Sequence, residues 1–427
     1  MSKKLKSSLA ALLAAILVTA SLQPISTVIA ATGSGKIPTT NVEDSFTQKL
    51  HQMYDEPEEN FWPWARWWLN EGHHTDATLE EEMEKIHDQG FSGVEVLAMP
   101  DNGGAYDSQR SYYGWGSAEW VNDTKLLIKK ATELDMGIAM TSGTNWESAN
   151  LPDTFTYDGE SFNPDNKAAL KQLNITTNTV EAGQSYSGAL TLPTIPDAIK
   201  EIYEPEFELQ GVYAYTLEST ESNGSRINDV SVGEYQVHDI TPVDLMAEGA
   251  VDTNTNTVEY TNNTGYPVHI VAIWLHGTCQ TAEPSVATNY TVNYMDPYGI
   301  EALKEYWDEY ILTPDMEELI RENGKVELYM DSLELSCFNR NNREMIWGLE
   351  MREGFMEEYG YDPIPWIPFV RGNHRSGGAT SFYEAYSDAD KGKTAQVRND
   401  ILEYVTKIKC IQKTHWNLCV NGCMKKV

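Results

Sequence analysis

Hydrophobic and polar positions along this chain fall into two textures. From about Phe61, short apolar runs alternate with segments whose apolar residues recur at helical spacing, the pattern of βα units. Strands are expected at 64–69, 93–98, 137–141 and 325–330. Thr78 and Glu81 suggest a capping box ahead of the stripe Leu79, Met83 and Ile86, and Gly90 suits the position just past that helix. Further helices are expected at 120–134, 298–309, 316–321 and 343–359, the last closed by Gly360.

The second texture occupies residues 165–290. It is rich in Thr, Asn, Gly and Ser, with period-two runs such as 211–217 and a continuous apolar run at 269–274. This reads as an all-β insertion, sandwich-like. The expected fold class is therefore α/β: a partial (β/α)8 barrel of the TIM type, interrupted by that insertion. Residues 56–164 are its first part and 291–400 its continuation. Four strands are fewer than the eight a closed barrel needs.

Ahead of the array, Lys3, Lys4 and Lys6 precede an apolar run from Leu9 to Val18, and Val28 and Ala30 supply small residues before a cut after Ala30. Residues 1–30 read as a secretory signal peptide and 31–55 as a linker, so a secreted protein is expected. The apolar run is too short for a spanning helix of about 20 residues, and no stable membrane insertion is expected. The formal charge, 31 − 64 = −33, would repel phosphate backbones and argues against nucleic-acid partners. Five cysteines, odd in number and unevenly spaced, make no disulfide framework.

In parallel βα architectures reactive groups gather at the carboxyl ends of strands. The fourth strand runs into Asp331-Ser332-Leu333-Glu334, and the third exits through Ser142-Gly143-Thr144-Asn145-Trp146-Glu147. Glu95 is a carboxylate inside an otherwise apolar strand, and Arg66 stands among Trp64, Trp67 and Trp68. Each has a plainer reading: Asp331 and Ser332 as a turn cap, Glu95 and Arg66 as an ion pair on the barrel floor, the tryptophans as core. Together, in an aromatic-rich chain with 12 Trp and 23 Tyr, they suggest a carbohydrate site. Glycoside hydrolysis usually needs two carboxylates, and Glu334 is the one the pattern nominates.

The runs Trp64-Ala-Arg-Trp-Trp68, Phe91-Ser-Gly-Val-Glu-Val96, Gly143-Thr-Asn-Trp146, Asp331-Ser-Leu-Glu334 and Gly360-Tyr-Asp-Pro-Ile-Pro-Trp-Ile-Pro368, in this order, resemble glycoside hydrolase family 106, the α-L-rhamnosidases. The resemblance covers about residues 55–400. It implies a (β/α)8 catalytic domain with β-sandwich decorations, an inverting mechanism acting on rhamnose-containing oligo- or polysaccharides, and calcium holding the rhamnose hydroxyls. It implies that Glu334 is a catalytic carboxylate, and it puts the other carboxylate and the calcium ligands beyond Val427. The expected substrate contacts are Asp331, Asn145, Trp146, Glu95, Arg66 and Trp68. Two motifs depart from the family: Thr144-Asn-Trp-Glu147 stands where Gly-Trp-Pro is usual, and Leu335-Ser-Cys-Phe-Asn339 where a Trp commonly follows.

Residues 401–427 change character again. They hold one acidic residue, Glu403, against five lysines, with Cys410, His415, Cys419 and Cys423 at spacings that match no common zinc pattern. A shifted reading frame or truncated gene is the expectation, and with it an inactive fragment. The competing readings are a non-catalytic secreted carbohydrate-binding protein and a glycosidase acting on a different deoxy-sugar.

Overall fold

The computed structural model describes residues 45–58, 61–70, 74–99, 114–145, 149–223, 233–329, 334–337, 343–370 and 381–407. Residues 1–30, read from the sequence as a signal peptide, Trp146, Asp331 and residues 408–427 of the tail lie outside the described residues. The chain divides into two compact units at Glu59/Asn60. The first contains the helix Ser45–Asp55, within the stretch read as a linker.

The second unit is a mixed α/β structure. Strands Trp64–Asn70, Gly93–Met99, Gly137–Thr141 and Val326–Tyr329 form a parallel sheet in that order, which is open among the described residues. Side chains alternate across it with period two. Val94, Ala98, Ile138 and Met140 bury one face against Leu79 and Met83 of helix Asp76–Asp88 and against Leu127, Ile128 and Ala131 of helix Ala118–Glu133. The first helix begins earlier than its sequence suggests. Thr75, not Thr78, is the cap: its backbone is extended and its side chain accepts the Thr78 N–H.

The opposite face starts from a steric match. Trp64 pairs in register with Gly93, and Gly93 with Gly137. A Cβ on either glycine would lie 2.3 Å from the Trp64 indole. The ring therefore lies across two strands that have no side chain at that level. Gly137→Ala should cost about 1–3 kcal/mol in urea unfolding, the range for overpacking. Pairing it with Trp64→Leu should recover part of the loss; strict additivity would show that the ring is not what the new methyl meets.

Four strands from the sequence between the third and fourth parallel strands, and a fifth that follows the fourth, form an antiparallel sheet. Its order is Val243–Asp244, Glu208–Thr216, Val268–Gly277, Lys171–Val180, Glu344–Trp347. All of Val268–Gly277 is buried, which explains its unbroken apolar pattern. Val268, Ile270, Ala272 and Trp274 face a smaller sheet containing Thr257–Thr261 and Ser185–Ala189. Val271 and Ile273 face Trp347, Phe369, Phe382 and Tyr383.

Those last four residues come from outside the stretch 165–290. Residues 343–359 do not form one helix: Glu344–Trp347 is a strand paired with Lys171–Asn174, and helix begins only at Met351. Tyr383–Ala385 likewise pairs with Tyr235–Val237. Of the stretch 291–400, helices Pro297–Tyr306 and Pro314–Asn323 and strand Val326–Tyr329 serve the parallel sheet. Trp347, Met351, Ile364, Phe369, Phe382 and Tyr383, all later in the chain, pack on the antiparallel one. Asp296, fully buried, sits at this junction: it accepts N–H bonds from Leu349 and Glu350 at 2.6 and 3.0 Å, while burial raises its pKa.

Candidate active site

Arg66, Glu95 and Trp68 share the face opposite the helices. Arg66 is directly opposite Glu95 in register, and its Nε donates to Glu95 Oε2 at 3.1 Å. The pairing agrees with the sequence expectation, but the burial does not: the two side chains remain 39% and 28% exposed. Such a pair adds little stability by itself, which leaves orientation as its main effect. Arg66 also donates to the Tyr329 hydroxyl, with its guanidinium 5.1 Å from that ring's centroid. Tyr329 is three strands away, roughly 14 Å along a flat sheet. Two side chains that meet over that span mark this face as the concave one. Trp68, 53% exposed, stands on the same face two residues beyond Arg66.

At the carboxyl ends of the strands, the turn after Gly137–Thr141 is tied to its neighbour. Thr144 Oγ1 and the Asn145 N–H both donate to the Ala98 carbonyl, at 3.2 and 2.8 Å. Asn145 has φ +59°, a left-handed conformation that asparagine tolerates better than most residues. Thr141 Oγ1 donates to Gly143 O at 2.7 Å, and the buried Trp115 donates its indole N–H to Thr141 O. Asn145 is thus fixed where the second and third strands end.

Glu334 lies past the exit of Val326–Tyr329 and is half-buried. Its backbone is clasped by a side chain that sequence reasoning missed. Gln280 Nε2 donates to Glu334 O at 2.8 Å, and the Ser336 N–H donates to Gln280 Oε1 at 2.7 Å. One amide group thus takes the place of a neighbouring strand. Gln280 comes just after the central antiparallel strand, so the β-rich segment braces the segment carrying Glu334. Nothing local to Gln280 announces this, because its partners are 54 and 56 residues away. Tyr329 was missed for the same reason.

Among the described residues, no cluster of three or more His, Cys, Asp or Glu side chains is placed to hold a metal ion. No helix among the described residues is long and apolar enough to cross a membrane. A groove of about 310 Å³ beside Lys171–Val180 is lined by Asn174, Thr176, Thr191, Arg343 and Glu344. Several of its polar groups are engaged within the fold: Arg343 with buried Glu234 at 3.2 Å, Asn174 with Glu344 at 3.2 Å, and Thr176 with Thr191 O.

No protein-family model matches the sequence, and no curated protein matches it. Among solved structures, the chain is similar to a rhamnosidase from Novosphingobium sp. PP1Y, with a TM-score of 0.54 and 14% sequence identity over 88% of this chain and 46% of that one. At that identity the likeness is one of fold. The chain spans about half the length of the rhamnosidase it matches.

Proposed function

We propose that the chain serves as a secreted glycoside hydrolase of the α-L-rhamnosidase type, its parallel strands forming part of an eight-stranded barrel. The observation that carries the reading is the concave face of the parallel sheet. There Arg66, braced by Glu95 and Tyr329, lies beside exposed Trp68, and the strand exits lead to Asn145 and Glu334. The likeness in fold to a rhamnosidase supports it, as do the motif order and the leader pattern. In this reading Trp68 and Trp146 offer flat apolar surface to the sugar ring. Arg66 donates to hydroxyl oxygens, and Asn145 and Asp331 bind hydroxyls. Glu334 acts as one carboxylate of an inverting pair: either it protonates the departing glycosidic oxygen or it takes a proton from the attacking water. Its partner, unassigned, stands across the bond at about 6.5–9.5 Å, leaving room for that water. Calcium bound in such a site would hold rhamnose hydroxyls.

Titration of the full chain with L-rhamnose, followed by tryptophan fluorescence, should saturate. Trp68→Ala should remove most of the change, and D-galactose should give none. In an intact protein carrying the same Asp-Ser-x-Glu strand exit, Gln at the Glu334 position should lower turnover of nitrophenyl α-L-rhamnoside by about 10² or more, with affinity little changed. No response to rhamnose, or a rate loss under threefold, overturns the reading.

A further inference from the structure

Four chain segments are locked together beside the antiparallel sheet. The His238 N–H donates to Thr216 O at 2.8 Å, Glu218 N–H to Gln236 O at 2.9 Å, Leu217 N–H to Pro267 O at 2.8 Å, and Tyr386 N–H to Val237 O at 3.0 Å. From these segments three aromatic rings reach the surface together. His238 stacks on Tyr266 with centroids 4.1 Å apart and planes 23° from parallel, and it lies within 27° of parallel to Tyr386 at 6.4 Å. Glu218 Oε2 is 2.9 Å from His238 Nδ1, so a carboxylate sits beside the stack.

Burial does not account for this cluster. Tyr215 and Tyr383, in the adjoining strands Glu208–Thr216 and Tyr383–Ala385, are fully buried, whereas Tyr266 is 37% and Tyr386 52% exposed. Single exposed aromatics are ordinary, but neighbouring exposed rings mark interaction sites. These rings are also pre-organised: their backbones are fixed by those four bonds, and each side chain has only two rotatable angles to order.

We propose that Glu218, His238, Tyr266 and Tyr386 form a glycan-binding platform, separate from the parallel-sheet site. Pyranose units of a polysaccharide lie with their C–H faces on the tyrosine rings, and their hydroxyls donate to Glu218. The platform anchors the polymer; it breaks no bond. The choice of a polysaccharide as ligand rests on the glycoside hydrolase reading. A shallow surface of this kind binds weakly, with a dissociation constant on the order of 10⁻³ M for an oligosaccharide.

The test is affinity electrophoresis of the full chain through gels containing a rhamnan, a soluble β-glucan or an arabinogalactan. At least one polymer should retard the protein. Tyr386→Ala and Tyr266→Ala should each weaken that retardation about fivefold or more without moving the unfolding midpoint, and Glu334→Gln should leave it intact. Absence of retardation by all three polymers overturns the proposal, as does retardation that persists in the double variant. So does retardation abolished by about 0.5 M NaCl, since that would mean attraction of charges rather than stacking. Retardation without rhamnoside hydrolysis in an intact relative would count against the catalytic reading and leave the platform standing. Hydrolysis without retardation would do the reverse.

Discussion

Between pH 7 and 4 the fold should lose about 6 kcal/mol of stability through two buried histidines, His269 and His276. Burial is the largest cause for both and pushes each pKa down to about 4; the positive charge of Arg343 adds to the effect at His269, while at His276 the hydrogen bond to the Gly277 carbonyl partly opposes it and the charge of Lys171 adds to it. His276 is suited to the neutral form. Its Nδ1–H donates to Gly277 O at 2.9 Å, and Nε2 faces the Gln172 amide nitrogen at 3.4 Å as an acceptor. A proton on Nε2 would set two donors against each other. His269 is packed among Tyr235, Phe382 and Tyr383, with Nδ1 2.9 Å from the Tyr383 hydroxyl.

Well above pH 6.5 both rings are neutral whether the chain is folded or unfolded, and their folded environment carries no penalty. As pH falls towards 4 the unfolded chain takes up protons that the folded one refuses, so stability falls, by about 3 kcal/mol per histidine. Against a usual net stability of about 5–15 kcal/mol, this is enough to unfold a marginal protein. Urea unfolding at pH 7 and pH 4.5 measures the effect. The His269→Gln/His276→Gln variant should start less stable at pH 7 yet lose much less on acidification. An unchanged pH dependence in that variant would show that other groups are responsible.

The parallel strands were legible because each pairs an apolar face with a helix stripe close in sequence, as Val94 and Ala98 do with Leu79 and Met83. What stayed hidden depends on distant partners. The stretch beginning Arg343-Glu-Met-Ile-Trp347 has apolar spacing compatible with a helix, and only the register against Lys171–Asn174 makes it a strand. At the site, Arg66 and Glu95 could be suspected of pairing because they sit at matching levels of successive strands. The grip of Tyr329 on Arg66 requires curvature, and that of Gln280 on the Glu334 backbone requires the β-rich segment to fold back. Neither leaves a trace in composition or period.

Trp347→Ala should cost about 3–5 kcal/mol, the usual range for truncating a buried aromatic. Trp347 is 2% exposed and ends the short strand Glu344–Trp347 on the outer side of Lys171–Val180. Four residues give a strand little hydrogen-bonding of its own, so its hold on the sheet comes from what its side chains bury. Trp347 packs with Leu173, Ile175, Val271, Ile273, Phe369 and Tyr383 in one cluster, joining sequence-distant parts of the chain around the antiparallel sheet. Alanine there leaves a cavity that the flanking rings cannot readily fill, because Tyr215 and Phe382 are already buried against others in that cluster. Urea unfolding would read the loss. Amide exchange across Lys171–Asn174 should also rise as their partner strand loosens, while Val94 and Ile138 in the parallel sheet keep their protection below the global transition. Trp347→Phe should cost roughly half as much, since it retains most of the buried ring. A loss under about 1 kcal/mol for the alanine variant, with exchange at Lys171–Asn174 unchanged, would mean that residues 344–347 do not hold this edge of the sheet.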